Sequence, residues 1–314
     1  MLDIKELLPD IKENVSLAEL TTFKIGGLAR YFFEANTKQD LIKALNTVKQ
    51  MDLPFLILGG GSNYLFSKGF DGLVIKIKFS EIKIKKTEII AQAGAKLSEL
   101  VNVSLKKHLT GLEWAAGIYG TIGGAIRGNA GAFNGCIANV LKQAEVLIFP
   151  ELQTEIFNNK ECRFFYRESV FKENPNLIVL SAVLELKKGE EERIKKKIEK
   201  NLDYRKQNHP LDYPSAGSVF KNPEFNLINK QILKDYPDLK KFSSKKIVPA
   251  GFLIEKAGLK GKRIGNARIS EKHCNFIVNL KRAKAEDIIK LINLVQEKIR
   301  ALFGVELEPE IKII

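Results

Sequence analysis

The sequence has few of the features that build membrane spans, disulfide frameworks or metal centres. Its longest apolar stretches, such as residues 53–58 and 177–184, fall far short of the roughly 20 residues that a transmembrane helix needs, which excludes a membrane protein. The cysteines Cys136, Cys162 and Cys274 form an odd set without a CxxC spacing, which excludes a disulfide framework and a zinc site. Because the first residues also lack the basic and apolar segments of a secretory signal, we expect a cytoplasmic protein.

Acidic residues are too few to balance the basic ones. The sequence has 51 Lys and Arg against 37 Asp and Glu, which gives a net charge of +14. Most of the bases are lysines spread through amphipathic segments with acids between them, which is typical of a solvated lysine-rich surface. Two other interpretations stay open, the attraction of anionic small molecules such as nucleotides and the binding of nucleic acid. No helix-turn-helix, zinc-finger or aromatic RNA-binding signature supports nucleic acid, so we predict no nucleic-acid partner.

The remaining composition is that of a globular protein with both helices and strands. Hydrophobic residues make up 45% and charged residues 28% of the 314 residues, a length that suggests two or three domains. Thr37 and Asp40 form a capping box before a predicted helix that ends near residues 52–54. Residues 285–303 carry apolar residues at helical spacing, and Gly304 is placed to end that helix. Short apolar runs and alternating apolar and lysine residues elsewhere predict strands.

Two glycine-rich segments are the main candidates for a phosphate-binding site. GGGSN, residues 59–63, follows a predicted strand and offers backbone N–H groups that no Cβ covers, which suits a pyrophosphate. It is neither a GxGxxG fingerprint nor a Walker A loop, and a tight turn between strands is an equally good interpretation. Residues 111–135 form a second such segment, which is apolar and therefore unlike a linker. Two such loops favour a large cofactor, to which Thr121 would offer a hydroxyl and Asn129 an amide. Close backbone packing within the domain is the alternative interpretation.

Eight separated segments resemble the UDP-N-acetylenolpyruvoylglucosamine reductase family, in that family's order from about residue 15 to the end. The segments are TTFKIGGLARYF (21–32), LPFLILGGGSNYL (53–65), LEWAAGIYGTIGGAIRGNAGA (112–132), YRESVFK (166–172), YPSAGSVFKNP (213–223), AGLKGKRIG (257–265), SEKHCNFIVN (270–279) and FGVELEPEIKII (303–314). The sequence lacks the extra tyrosine-bearing substrate loop found in one branch of the family. It therefore resembles the family's shorter branch.

The resemblance implies an α+β fold, with a two-lobed FAD-binding domain of the vanillyl-alcohol-oxidase-like type and a C-terminal α+β substrate domain. We expect the FAD-binding domain at residues 1–198, with lobes at about 1–78 and 79–198, and the substrate-binding domain at 199–308. The strand at 309–314 is a candidate to rejoin the first lobe. The implied reaction is the NADPH-dependent, FAD-mediated reduction of UDP-N-acetylglucosamine enolpyruvate to UDP-N-acetylmuramate for peptidoglycan synthesis. Its implied cofactors are noncovalent FAD and NADPH as hydride donor, and we expect a monomer whose partners are small molecules only.

The resemblance also assigns catalytic roles. The carboxylate of the enolpyruvyl group polarises its double bond, so hydride addition at the far carbon leaves an enolate-like carbanion beside the carboxylate. Ser218 matches the family's proton donor for this carbanion, and Arg167 matches the arginine that faces the substrate carboxylate. Glu310 matches the C-terminal glutamate that holds the carboxyl end of the substrate or relays a proton. Glu308 would share its strand face but matches less well. Without the resemblance, these residues would be interpreted as a turn serine, a surface arginine and solvated carboxylates.

The remaining site residues follow from the same matched segments. Lys206 is expected near the phosphates of the substrate or the nicotinamide nucleotide, and Asn222 is expected to contact the substrate through its amide. The residues expected to bind FAD are Gly59, Gly60, Gly61, Ser62, Asn63, Gly117, Thr121, Gly123, Gly124, Asn129, Ala130 and Gly131. No metal is expected, because the three histidines include no pair at metal-ligand spacing. His108 and His209 are interpreted as surface residues.

Three departures from the family pattern and two competing functions stay open. Tyr119 stands where the family has proline, Arg268 stands where it often has glutamine, and residues 224–248 exceed the corresponding connection. That longer connection is either a lid or a surface excursion.

One competing function is an FAD-dependent oxidase of an alcohol or sugar, against which the three catalytic candidates argue. The other is a basic nucleic-acid-binding protein, which a colourless preparation with salt-sensitive RNA binding would support.

Overall fold

A computed structural model describes residues 3–314, which form a mixture of helices and strands. The helices are α1 (Ile4–Leu7), α2 (Lys38–Met51), α3 (Leu97–Lys106), α4 (Ile122–Arg127), α5 (Val170–Glu173), α6 (Glu191–Asn208), α7 (Lys230–Asp235), α8 (Ala250–Lys256) and α9 (Ala285–Phe303). The strands are β1 (Lys12–Ser16), β2 (Leu28–Ala35), β3 (Phe55–Leu58), β4 (Tyr64–Leu65), β5 (Phe70–Ile77), β6 (Ile82–Lys85), β7 (Glu88–Gln92), β8 (Leu109–Thr110), β9 (Gly131–Ala132), β10 (Gly135–Cys136), β11 (Leu141–Ile148), β12 (Gln153–Asn158), β13 (Leu177–Glu185), β14 (Lys187–Lys188), β15 (Arg263–Ile264), β16 (Ala267–Ile269), β17 (Ile277–Asn279) and β18 (Lys312–Ile313). In this described part of the chain, no helix combines the length and apolar character of a membrane span.

The chain divides into two compact units, and each unit is discontinuous in sequence. Unit 1 consists of the described residues up to Val15, Leu28–Gly61 and Phe70–Arg205, and unit 2 consists of Ser16–Gly27, Ser62–Gly69 and Lys206–Ile314. Each unit has its own buried hydrophobic core. The chain thus leaves unit 1 for unit 2 three times, after Val15, within GGGSN and near the end of α6.

Unit 1 contains two sheets. In the first, with strand order β1-β2-β5-β3, β5 pairs parallel with both β2 and β3. Helix α2 contributes buried Leu41, Leu45 and Val48 to the core of this unit. The predicted capping box begins this helix, since Thr37 and Asp40 each accept the other's backbone N–H. The second sheet, with order β12-β11-β13-β7-β6, is antiparallel.

Unit 2 is built around α9. The residues of α9 at helical spacing are buried, among them Ile288, Ile292, Val295 and Ile299. Gly304 then ends the helix with a φ of 65°, a conformation that favours glycine, as the sequence predicted. Strands β15, β16 and β17 form an antiparallel sheet that contacts this helix. The final strand, β18, pairs parallel with β4, which belongs to the same unit although its sequence position lies in the range expected for the first lobe.

The long connection at residues 224–248 is folded rather than extended. It contains α7, preceded by a 3-10 turn at Phe225–Leu227 and followed by one at Pro237–Lys245. Its apolar side chains, including Leu239 and Phe242, are buried in the core of unit 2. The connection is therefore anchored to that core.

Candidate functional site

The two predicted glycine segments meet within unit 1. Gly59 and Gly60, directly after β3, lie against Thr121 and Gly120 of the second segment. A Cβ atom on Gly59 would lie 2.6 Å from the Oγ1 atom of Thr121, and a Cβ atom on Gly60 would lie 2.9 Å from the Cα atom of Gly120. Both separations are shorter than van der Waals contact, so this approach requires glycine. These two glycines thus serve the close packing of one loop on the other, and the backbone N–H groups of the paired loops are candidates to hold the pyrophosphate of a dinucleotide such as FAD.

Contacts within unit 1 fix the rest of the second segment. Asn129 is only 6% exposed, and its side chain donates to the Phe165 carbonyl at 2.7 Å and accepts from the Ala138 N–H at 3.1 Å. The amide thus forms hydrogen bonds that hold the loop together. Asn129 would therefore contribute to FAD binding by fixing the conformation of the loop and not by a side-chain contact with a ring of the cofactor. The other expected FAD-binding residues in unit 1 are Gly61, Gly117, Gly123, Gly124, Ala130 and Gly131.

Arg205, near the end of α6, supports the glycine loop and was missed by the sequence interpretation. Its Nε atom donates to the Ala116 carbonyl at 2.8 Å, and its Cδ atom lies 2.7 Å from where a Cβ on Gly117 would stand. Its guanidinium lies over the Phe133 ring, with Cζ 5.0 Å from the ring centroid. Burial lowers the pKa of Arg205. Its helix has the sequence of a solvated, highly charged segment, so no pattern marked this arginine.

Arg167 also lies in unit 1, where it contacts the glycine segment. Its Nη2 atom donates to the Gly131 carbonyl at 2.8 Å, and its Cζ atom lies 5.3 Å from the Tyr166 ring centroid. Its φ is 59°, in the left-handed region that favours glycine. Since this conformation costs a non-glycine residue about 1 to 3 kcal/mol, the surrounding fold must hold Arg167 in place. The catalytic arginine candidate and an FAD-binding candidate are thereby brought together.

Unit 2 brings Ser218 and Glu310 to neighbouring positions. The Glu310 N–H donates to the carbonyl of Val219, the residue after Ser218, at 2.7 Å. The Nδ2 atom of Asn63 donates to the Glu310 carbonyl at 3.0 Å, and the Asn63 carbonyl accepts from the Lys312 N–H at 2.9 Å. A proton-donor candidate, a glutamate candidate and the end of the first glycine segment therefore belong to one cluster.

The other candidates of unit 2 have separate surroundings. The Oδ1 atom of Asn222 accepts from the Ala250 N–H at 2.9 Å, at the start of α8. Lys206 is exposed in α6. Ser62 precedes Asn63 in the same unit. Glu308 has a side chain that is 66% exposed and forms an ion pair with Lys221 at 2.6 Å.

His209 is half-buried, which corrects the expectation of a surface residue. Its ring packs edge-on against His273, with centroids 5.3 Å apart, and lies 4.9 Å from the Phe276 centroid. Burial lowers the pKa of His273. The sequence did not indicate this pair because its members lie far apart along the chain. His108, in contrast, has a side chain that is 57% exposed, as expected.

The two single-residue departures from the family pattern differ in their surroundings. Tyr119 is 72% exposed, so its replacement of proline leaves the close approach of the neighbouring glycines intact. Arg268 forms an ion pair with Glu271 at 3.3 Å, and its Cζ atom lies 5.6 Å from the Tyr213 ring centroid. The arginine is thus held by side chains of unit 2.

Replacing Gly60 by alanine is expected to weaken FAD binding about 10- to 100-fold, because overpacking of about 1–3 kcal/mol would push the two loops apart. Titration of the apoprotein with FAD, followed by flavin fluorescence, measures this change. Gly251→Ala in α8 of unit 2 is the control, since a Cβ there would meet its nearest neighbour at 3.4 Å, an ordinary van der Waals contact, outside the glycine segments. Equal FAD affinity in the two variants would show that the close approach of the loops does not matter for binding.

Comparisons with known proteins connect this geometry to a family. The model of an FAD binding domain matches residues 29–150, and the model of the UDP-N-acetylenolpyruvoylglucosamine reductase C-terminal domain matches residues 209–314. The chain is 42% identical to the UDP-N-acetylenolpyruvoylglucosamine reductase of Caldanaerobacter subterraneus subsp. tengcongensis, over 99% of this chain and 96% of the relative. It is 44% identical to the enzyme of that name from Caldicellulosiruptor bescii, over 95% of this chain and 88% of the relative. The crystal structure of UDP-N-acetylenolpyruvylglucosamine reductase from Thermus caldophilus is similar as well, with a TM-score of 0.76, 32% identity and coverage of 95% and 97%.

These matches confirm three predictions from the sequence. They confirm the family resemblance, the α+β fold with an FAD-binding domain, and FAD as the cofactor of an oxidoreductase. The matched FAD-binding domain includes both glycine segments. The roles of individual site residues stay predictions.

Proposed function

The chain belongs to the UDP-N-acetylenolpyruvoylglucosamine reductase family, and on this premise we propose that it reduces UDP-N-acetylglucosamine enolpyruvate to UDP-N-acetylmuramate with NADPH and FAD. The observation that carries the proposal is the cluster in unit 2, where the Glu310 N–H bonds to the carbonyl beside Ser218. An FAD-dependent oxidase of an alcohol has no need of a proton donor for a carbanion, whereas the reduction of an enolpyruvyl group requires one. Both substrates are small nucleotides of the cytoplasm, so the proposal includes a cytoplasmic enzyme, and it keeps the expectation of a monomer.

The protein's residues would divide the work around the cofactor. When bound, FAD would supply the hydride-transfer chemistry that links NADPH to the enolpyruvyl group. The glycine loops at Gly59–Gly60 and Gly120–Thr121 would hold the pyrophosphate of FAD with backbone N–H groups. Lys206 would bind a phosphate of the UDP-sugar or NADPH, and Asn222 would contact the substrate in unit 2.

Three residues would act at the reacting group. The Arg167 guanidinium would face the substrate carboxylate and stabilise the negative charge that develops there. The Ser218 hydroxyl would donate a proton to the carbanion; because a hydroxyl is a weak acid in water, its half-buried position matters. Glu310 would hold the carboxyl end of the substrate or relay the proton to Ser218.

Steady-state kinetics test this proposal. One site that serves NADPH and the UDP-sugar in turn predicts ping-pong behaviour, in which double-reciprocal plots at several fixed concentrations of the second substrate are parallel. Intersecting lines, which indicate a mandatory ternary complex, would contradict the shared site. Turnover with an alcohol or sugar and oxygen, and none with the enolpyruvyl compound, would favour the oxidase instead.

A further inference from the structure

Asn275 holds the backbone segment that carries Ser218. Its side chain is buried, at 3% exposure, and both ends of its amide bond to one residue. The Oδ1 atom accepts from the Phe220 N–H at 3.0 Å, and the Nδ2 atom donates to the Phe220 carbonyl at 2.8 Å. The Asn275 carbonyl also accepts from the Val219 N–H at 2.8 Å. The side chain therefore substitutes for a neighbouring strand along this part of the segment.

The other edge of the same segment is bonded to the residues around Glu310. The Val219 carbonyl accepts from the Glu310 N–H at 2.7 Å, and the Lys221 N–H donates to the Glu308 carbonyl at 2.9 Å. Ser218 itself pairs with Phe276 in an isolated bridge, outside any longer strand. The segment thus lies between Asn275 and Glu310, and its position sets the positions of both Ser218 and Glu310.

The amide of Asn275 cannot be replaced by a regular ladder at this place. The bridges of Ser218 and Phe220 are isolated, so the backbone bonds of Val219 and Lys221 on either side would have to keep Phe220 in register if the amide were lost. The Phe220 N–H and carbonyl would then be buried without partners, which destabilises that conformation relative to a shifted one. Catalytic groups tolerate little displacement, and about 1 Å can cost roughly 100-fold in rate.

From these contacts we infer that Asn275 is a positioning residue, whose side-chain amide fixes the backbone of Phe220 and thereby the placement of Ser218 and Glu310. This inference rests on the proposed function for its catalytic consequence and on the hydrogen bonds alone for its structural part. Asn275 does not act on the substrate itself, because protein groups engage both ends of its amide.

Asn275→Ala tests the inference in the holoenzyme, since the substitution removes both the acceptor of the Phe220 N–H and the donor to the Phe220 carbonyl. Asn279→Ala is the matched control. Asn279 is equally buried in the same region, at 2% exposure, but its amide donates to the Phe23 carbonyl at 3.0 Å and accepts from the Ala283 N–H at 2.9 Å. A merely structural role predicts the same behaviour from both alanine variants, and Asn275→Ser serves if Asn275→Ala does not fold.

Amide hydrogen exchange measures the structural part directly. We expect the Phe220 and Glu310 amides to exchange about tenfold or more faster in the Asn275 variant, with wild-type rates in Asn279→Ala. Unchanged exchange at both amides would overturn the inference. This readout needs no substrate, so it decides the positioning role even if the proposed function is wrong.

The half-reactions measure the catalytic consequence. We expect cofactor reoxidation by the enolpyruvyl UDP-sugar to slow about 10- to 100-fold in the Asn275 variant, while reduction by NADPH stays within about twofold. The Asn275 substitution should slow reoxidation less in a Ser218→Ala background than in the wild type, because one of the two positioned groups is then absent. Equal slowing of both half-reactions, or the same pattern in Asn279→Ala, would overturn the role. If the wild-type enzyme does not react with the UDP-sugar, the proposed function is refuted. The hydrogen-exchange experiment then tests the positioning role of Asn275 by itself.

Discussion

Replacing Ser218 by alanine slows reoxidation of the cofactor by UDP-N-acetylglucosamine enolpyruvate by about 100- to 10,000-fold, while reduction by NADPH keeps its rate. The difference arises because only the second half-reaction creates a carbanion that needs a proton. Reduction by NADPH has no such step, and the substitution removes one oxygen atom without disturbing the backbone bonds of Val219. Anaerobic stopped-flow absorbance of the two half-reactions measures both rates in one preparation.

Ser243→Ala is the control for this experiment. Ser243 is exposed in the 3-10 turn at Pro237–Lys245, so its loss should leave both half-reactions unchanged. If Ser218→Ala slowed the two half-reactions equally, the residue would contribute to FAD binding or to stability, and the proton-donor role would be lost.

Replacing Arg167 by lysine is expected to slow reoxidation by the UDP-sugar about 100- to 1,000-fold and to raise its KM. The guanidinium is planar and is anchored by its Nη2 bond to the Gly131 carbonyl, so its remaining face has a fixed orientation. An ammonium group cannot keep that bond and also present a planar fork to a carboxylate. The same half-reaction measurements, repeated over a range of substrate concentrations, separate the change in KM from the change in rate.

Arg163→Lys is a closely matched control for Arg167→Lys. Arg163 also has a left-handed backbone, with a φ of 44°, but its side chain is 58% exposed and forms an ion pair with Glu173. This variant should behave like the wild-type enzyme, because exposed ion pairs contribute little. An Arg167→Lys variant that stays within about twofold of wild type would contradict charge stabilisation by Arg167.

Local patterns in the sequence predicted the elements whose bonds are local. The capping box at Thr37 and the apolar spacing up to Gly304 identified α2 and α9 correctly, because helix ends and helix faces depend on residues three or four positions apart. The glycine segments were recognisable because glycine is required wherever backbones come closer than a Cβ allows, as at Gly60.

Contacts between distant residues were not predictable in the same way. Asn275 and Phe220 are joined only through tertiary structure, and an asparagine in a strand-like segment carries no signal of its partner. The same holds for Arg205 under the Gly117 loop and for the rings of His209 and His273. The division of GGGSN between the two units also depends on the pairing of β4 with β18, which no local pattern specifies.

An anaerobic visible spectrum of the purified protein tests the central claim most directly. We predict a yellow protein whose flavin absorbance bleaches with NADPH and returns when UDP-N-acetylglucosamine enolpyruvate is added. Absorbance that bleaches but does not return would contradict the proposed substrate. A protein that stays colourless even after FAD is added would contradict the whole account.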